Sequence, residues 1–207
     1  MKTCAKTIKL IIDKVVGVIL LIILSPLIMT ISIVILIIDG SPIIFSHYRV
    51  GKNNRIFKFH KFRTMKNQRA SGVDTASDEE RITTLGRFMR RSSFDELPSI
   101  FNLLKGDVSL VGPRPLLEKY LTRYNTFQAR RHEVKPGITG LAQVNGRNLI
   151  SWEEKFEYDI YYVDNQTLWL DLKILLLTIV KVFKRSGISP EGSEIMPEFM
   201  GDKKNVA

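Results

Sequence analysis

Residues 15–38 read VVGVILLIILSPLIMTISIVILII, a run of 24 positions without one charged side chain. As an α-helix it would be about 36 Å long, enough to cross a hydrocarbon core of about 30 Å. It is too long for the apolar part of a secretory signal, and no small-x-small cleavage pattern follows it. Ser25-Pro26 stands near its middle. Pro26 has no N–H for the Ile22 carbonyl and its ring crowds that carbonyl, so a kink or break is expected there. The Ser25 hydroxyl is placed to bond back to a carbonyl one turn earlier.

Working outward, both flanks of this run are basic. Lys2, Lys6, Lys9 and Lys14 precede it, with Asp13 opposing. Arg49, Lys52, Arg55, Lys58, Lys61, Arg63, Lys66 and Arg69 follow it, and no acid occurs between Asp39 and Asp74. Basic flanks stay in the cytoplasm, and a single span sends one of them across. A hairpin that enters and leaves by the same face keeps both inside. Each arm would have about 10–12 residues and reach about 15–18 Å, half of the hydrocarbon core. The expectation is therefore a re-entrant, monotopic membrane helix broken at Ser25-Pro26, with basic flanks that attract anionic headgroups.

The whole chain of 207 residues has 31 Lys and Arg against 21 Asp and Glu, a net charge of +10. That excess points to anionic partners: nucleic acid, a headgroup surface or phosphorylated substrates. One cysteine, Cys4, excludes an internal disulfide, and with three histidines it argues against a structural zinc site. The expected division is a basic N-terminus and membrane helix over 1–39, a cytoplasmic domain over 40–188 and a tail over 189–207.

In the cytoplasmic part, residues 42–48 and 55–65 read as a β-hairpin turning at Gly51-Lys52-Asn53-Asn54. Phe57, Lys58, Phe59, Lys61, Phe62 and Arg63 interleave aromatics with cations. Such interleaving can bind single-stranded nucleic acid, but a half-buried strand with one wet face is the commoner case, and a strand near a membrane surface looks the same. Residues 67–80 read as a loop and 81–91 as a short basic helix. Ser93-Phe94-Asp95-Glu96-Leu97-Pro98 follows, with Asp95 and Glu96 at the start of a helix that stops at Gly106. Ser93-x-x-Glu96 also fits a capping box, and by itself capping is the simpler account of these acids. Gly112-Pro113-Arg114-Pro115 is a stiff loop. Residues 116–131 read as a helix, and 135–148 as a glycine-rich tract that lets the backbone approach a ligand closely. The tract matches neither standard nucleotide fingerprint. Ser151-x-x-Glu154 is a capping box for a helix through Tyr162, and 168–185 form an amphipathic helix, of the core or of the membrane interface. From 189 onward a loose tail is expected. The fold class is α+β: mainly helical, with a β-hairpin, the membrane helix and interfacial amphipathic helices.

At these residues the chain resembles the small monotopic phosphoglycosyl transferases of bacteria, over almost its whole length. The motifs are Ser25-Pro26, Lys61-Phe62-Arg63-Thr64-Met65, the Asp95-Glu96 segment, Gly112-Pro113-Arg114-Pro115, Pro136-Gly137-Ile138-Thr139-Gly140 and Asn145-Gly146-Arg147-Asn148. The tract from Trp152 to Tyr162 resembles the branch that handles N,N′-diacetylbacillosamine 1-phosphate. The resemblance implies an enzyme of the bacterial inner membrane, on its cytoplasmic face. Its substrates would be a UDP-sugar and undecaprenyl phosphate, and its product would form the first membrane step of glycoconjugate synthesis. Asp95 would attack the β-phosphate, release UMP and carry the phosphosugar as a covalent intermediate. Mg²⁺ is implied near Asp95, with Glu96 assisting.

The chemistry of the residues agrees with this. A carboxylate that approaches a diphosphate needs cations to offset repulsion and to stabilise the transferring phosphoryl group. Lys61, Arg114 and Arg147 lie inside the matched motifs and Arg90 just before the Asp95-Glu96 segment; these four are the candidates, and Asp159 is a further candidate for the site. Membrane lipid is the third implied partner, nucleic acid is not one, and a second copy or pathway glycosyltransferases are the protein partners considered. The rivals are a membrane-tethered binder without catalysis and a glycosyltransferase that moves the sugar without its phosphate.

Overall fold

The computed structural model describes residues 3–66, 78–146, 149–183 and 198–201. The apolar run and its basic N-terminal lead form one helix, α1 (Thr3–Ile38), of 36 residues, with Pro26 inside it. The expected division into two arms is not present as a gap in this helix. The reason is local. Pro26 removes one ladder bond, and the Ser25 hydroxyl donates to the orphaned Ile22 carbonyl at 2.9 Å. Thr30 and Ser32 likewise donate back to the carbonyls of Pro26 and Ile28, at 2.8 and 2.7 Å. Ile22, Ile23, Met29 and Ile37 are all exposed, and the helix is long and apolar enough to cross a membrane.

After α1 come β1 (Ile44–Val50), a 3₁₀ turn (Lys52–Asn54), β2 (Ile56–Phe62), α2 (Asp78–Arg81), α3 (Thr84–Ser92), a 3₁₀ turn (Phe94–Ser99) and α4 (Ile100–Lys105). Then follow β3 (Ser109–Val111), α5 (Thr126–Ala129) between 3₁₀ turns at Glu118–Arg123 and Arg130–Glu133, β4 (Gly137–Thr139), α6 (Leu141–Asn145), α7 (Trp152–Asp164) and α8 (Leu168–Phe183). β1 and β2 make the expected hairpin, and β3 pairs with β4 in a second sheet. The expected loop over 67–80 lies mostly outside the described residues. The chain forms two units: Met1–Val15, Tyr48–Phe57 and Leu103–Ala207 in one, Val16–His47 and Lys58–Asn102 in the other.

In the smaller unit Ile35, Phe62 and Met89 are buried, with Ile28, Ile31, Ile43, Leu85, Phe94 and Leu97 around them. Ile28, Ile31 and Ile35 share one stripe of α1 by their spacing. Arg63 gathers the carbonyls just past the end of α1, Gly40 at 2.7 Å and Ser41 at 2.9 Å among them. A cation there answers the negative end of the helix dipole. Thr83 caps α3, accepting from Gly86 N–H at 2.9 Å, and donates to Asp39 Oδ2 at 3.1 Å. A Cβ at Gly86 would stand 2.1 Å from the Thr64 carbonyl oxygen, so this close approach requires glycine.

In the larger unit β3 and β4 run parallel, Ser109 opposite Gly137 and Val111 opposite Thr139. The glycine-rich tract is used here for close approach of chain to chain. A Cβ at Gly137 would meet Gly112 N at 2.1 Å, and one at Gly140 would meet Gly112 O at 2.2 Å. The first turns of α1 also belong to this unit. Lys9 Nζ donates to Asp171 Oδ2 at 2.6 Å, Tyr162 Oη to Asp171 Oδ1 at 2.6 Å, and Ser109 Oγ to Asp13 Oδ2 at 2.7 Å. Burial and the Asp171 carboxylate push the Tyr162 hydroxyl well above the usual phenol range.

Two expectations are corrected in this unit. Residues 116–131 are not one helix. Tyr124 is extended, and Asn125 restarts the chain with a reciprocal capping box to Gln128. That restart brings both Tyr124 and Arg131 toward the core. The tail is not loose at residues 198–201. Phe199 is 4 % exposed, packed among Tyr120, Tyr124, Trp152 and Phe156, and Glu198 pairs with Lys119 and Arg123 at 2.7 Å each. An aromatic side chain in a polar tail buries enough apolar area to hold its segment down. The Ser151–Glu154 capping box of α7 is present in both directions.

Candidate active site

Asp95 and Glu96 lie in the 3₁₀ turn that α3 reaches through Ser93, a residue in the left-handed region at φ 59°. The reversal at Ser93 ends α3 and starts the turn; Pro98 fits because a short turn needs few of its N–H groups. The Ser93 side chain makes no cap hydrogen bond. Glu96 instead accepts from Lys61 Nζ at 2.7 Å, and the same ammonium stands 3.6 Å from Asp95 Oδ2. The capping-box alternative therefore fails, and the acids serve a common cation.

Lys61 is presented by β2. Asn102 clamps that strand from α4: its Oδ1 accepts from His60 N–H at 3.1 Å and its Nδ2 donates to the Lys58 carbonyl at 2.7 Å. The Lys61 ammonium also stands 5.8 Å from the Phe59 ring centre. Asp95 is 8 % exposed. Two carboxylates thus meet one ammonium in a shielded place. Such a donor set suits a hard divalent cation that takes its other ligands from water and phosphate oxygens. Among the described residues no group of three or more His, Cys, Asp or Glu converges. Arg90, on α3, donates through Nε to Thr64 Oγ1 at 3.0 Å in this same unit.

Arg114 and Asp159 belong to the larger unit. Asp159, on α7, is 2 % exposed and accepts twice from Arg131 through Oδ2, from Nε at 3.0 Å and Nη2 at 2.7 Å. Nη2 also donates to the Arg114 carbonyl at 2.8 Å. Asp159 thus acts on the Gly112-Pro113-Arg114-Pro115 loop through Arg131. Burial pushes the Asp159 carboxyl up, against the pull of Arg131. Arg147 lies outside the described residues.

The sequence reading passed over Lys155 and Arg131. Lys155 is one helical turn before Asp159, 7 % exposed, with its ammonium 4.4 Å from the Trp152 ring centre. Burial, then Arg114, lowers its pKa to about 8; Arg131 adds to this and Asp159 opposes it. The signal available in sequence was the i,i+4 spacing of Lys155 and Asp159, which puts them on one face. His132, beside Arg131, is held neutral by burial and by that guanidinium, with its pKa down at about 3.

Residues 4–185 match the bacterial sugar transferase family. The chain belongs to that family. It is 54 % identical, over 78 % of its length, to the uncharacterized sugar transferase EpsL of Bacillus subtilis, of which it covers 80 %. It is 38 % identical over 90 % of its length to the undecaprenyl-phosphate galactose phosphotransferase of Salmonella typhimurium, covering 42 % of that protein. It is 40 % identical over 75 % of its length to the UDP-N-acetylgalactosamine-undecaprenyl-phosphate N-acetylgalactosaminephosphotransferase of Aeromonas hydrophila, covering 38 % of it. The chain thus spans less than half the length of the relatives named for a sugar.

Proposed function

We propose that this family member transfers a sugar 1-phosphate from a UDP-sugar to undecaprenyl phosphate and releases UMP. The observation that carries the reading is the shielded Asp95-Glu96 pair on Lys61. An Asp95 carboxylate oxygen attacks the β-phosphorus. The bond from that phosphorus to the bridging oxygen breaks, and UMP leaves with the electron pair. An oxygen of undecaprenyl phosphate then attacks the same phosphorus, and Asp95 departs as carboxylate. Lys61 offsets the repulsion between Asp95 and the diphosphate, while Glu96 fixes the Lys61 ammonium. Asp95 and Glu96 are the residues that would hold Mg²⁺, whose positive charge neutralises phosphate oxygens. Arg90 is the further cation we propose in the unit that holds Asp95, while Arg114 and Arg147 are proposed as phosphate-binding from their motifs alone.

The donor we propose is UDP-N,N′-diacetylbacillosamine or a related N-acetylated sugar. The tract from Trp152 to Tyr162 and the N-acetylgalactosamine named for the Aeromonas relative support it. The test is a panel of UDP-sugars with undecaprenyl phosphate and Mg²⁺. UMP and a polyprenyl diphosphate sugar are expected; UDP in place of UMP overturns the reading, and wild-type binding without any turnover favours a non-catalytic tether.

The site works where a soluble donor meets a lipid acceptor, so we place the protein on the cytoplasmic face of the bacterial inner membrane. α1 enters and leaves by that face, bending at Pro26, where the ladder bond is already replaced by the Ser25 hydroxyl. Run straight, its 36 residues would extend about 54 Å. α8 lies in the interface: Ile174 is buried, while Trp169, Leu172, Leu176 and Ile179 are exposed. Cys4, the single cysteine, is exposed and serves as the label. An impermeant maleimide is expected to react in inverted vesicles and not in intact spheroplasts; the opposite pattern overturns the topology.

A further inference from the structure

We propose that Phe199 is a positioning residue for the Gly112-Pro113-Arg114-Pro115 loop: the C-terminal segment completes the aromatic wall around the buried ion pair that holds this loop. That the loop meets a phosphate group rests on the transfer reaction proposed above.

The contacts run from the tail to the loop in two steps. The Phe199 ring stacks on Tyr124, with centres 5.7 Å apart, and meets Phe156 edge to face at 5.0 Å. Those two rings flank the Arg131 guanidinium, which lies 6.0 Å from the Tyr124 ring centre and 5.7 Å from that of Phe156. Arg131 Nη1 also donates to Tyr124 Oη at 3.4 Å. Arg131 itself makes the second step. Its Nη2 donates to Asp159 Oδ2 at 2.7 Å and to the Arg114 carbonyl at 2.8 Å. With Phe199 in place Arg131 is 2 % exposed. A charge pair is strong where water is kept out, and taking a ring from its wall lets water in. The rings that hold the guanidinium then shift, and the bond to the Arg114 carbonyl shifts with them.

Magnitudes decide which part of the tail does this. Glu198 pairs with Lys119 and Arg123, but its side chain is 42 % exposed, and exposed pairs contribute little. Arg123 orients the segment: its Nη1 donates to the Phe199 carbonyl, and Gly201 turns beside its backbone at φ 87°. Phe199 is buried among Tyr120, Tyr124, Trp152 and Phe156, so its ring carries the docking.

Hydrogen exchange on the full-length protein in detergent reads the loop without turnover. Phe199→Ala is expected to speed exchange at residues 112–118 as well as at 119–124 and 198–201, and to leave α3 at its wild-type rate. With turnover, KM for the UDP-sugar is expected to rise about tenfold at nearly constant kcat, the loss of about one hydrogen bond to a charged group. Phe199→Leu, which refills the space, is expected to recover most of both. Glu198→Gln is expected to change neither by more than about twofold. Where Phe199→Ala lowers protection through the whole larger unit, Glu198→Lys decides in its place. It sets a like charge against Lys119 and Arg123 and leaves every core side chain intact, and the same paired change in loop exchange and KM is expected.

Faster exchange confined to 119–124 and 198–201, with the donor KM unchanged, overturns the proposal. In a protein that turns over, a change in loop exchange alone or in KM alone also overturns it, and so does a lower kcat at unchanged KM. Failure of the transfer reading is distinguishable: residues 112–118 still exchange faster in Phe199→Ala, but no UDP-sugar yields UMP.

Discussion

The two units each hold buried carboxylates and cations, arranged with opposite balance. Around Lys61, two acids share one ammonium. Around Asp159, one acid holds Arg131, which also donates to the Arg114 carbonyl, and Lys155 lies one turn away on α7. The same residue types thus make an ammonium shared by two carboxylates in one unit and a closed carboxylate–guanidinium pair in the other, and burial and distance set the strength of each.

The largest expected break in this comparison is Asp95→Asn. It keeps the shape and removes the charge, so turnover should fall by about 10⁴-fold or more, and no covalent sugar-phosphate adduct should appear by intact mass. The fold should survive, since Asp95 stands at the longer ion-pair distance. Asp159→Ala should do the reverse first: it strands a buried guanidinium and should cost about 3–5 kcal/mol in denaturant unfolding. The double change Arg131→Met with Asp159→Leu should recover most of that stability, yet leave the Arg114 loop without its anchor and the donor KM raised.

The pH response separates the clusters further. Folding depresses the Lys155 pKa from 10.5 to about 8, so between these values the unfolded chain holds a proton that the folded chain has released. Stability then rises with pH across that window. Wild-type melting temperature should climb relative to Lys155→Met from about pH 8 to about pH 10, and a flat difference would show that this ammonium is not strained by its neighbours. The smallest effect is expected from Ser151→Ala, which removes one half of the α7 capping box and should cost about 1 kcal/mol by thermal unfolding, mostly at the α7 entrance.

The hairpin, the α7 cap and the apolar helix were legible in the sequence because each is set by neighbours a few residues apart. Asp95 and Glu96 were legible as residues of interest but not as partners of Lys61, since Lys61 and Glu96 lie 35 positions apart and a local capping box explained the acids equally well. The glycines at 112, 137 and 140 announced close approach, and only the paired β3 and β4 showed that what approaches is the chain itself. Phe199 gave no periodic signal at all. Its role comes from an aromatic cluster assembled from Tyr120, Tyr124, Trp152 and Phe156.

By itself the sequence determined the membrane-bound class, the family and the short list of cations and acids. Composition, the length of an apolar run and motif spacing are properties of the chain and do not depend on how it packs. The tertiary structure decided which charge faces which. It joined Lys61 to Asp95 and Glu96, committed Asp159 to Arg131, and buried Lys155 against Trp152. Those pairings follow from burial and distance, which fix the strength of a charge interaction and exist only once distant segments have met.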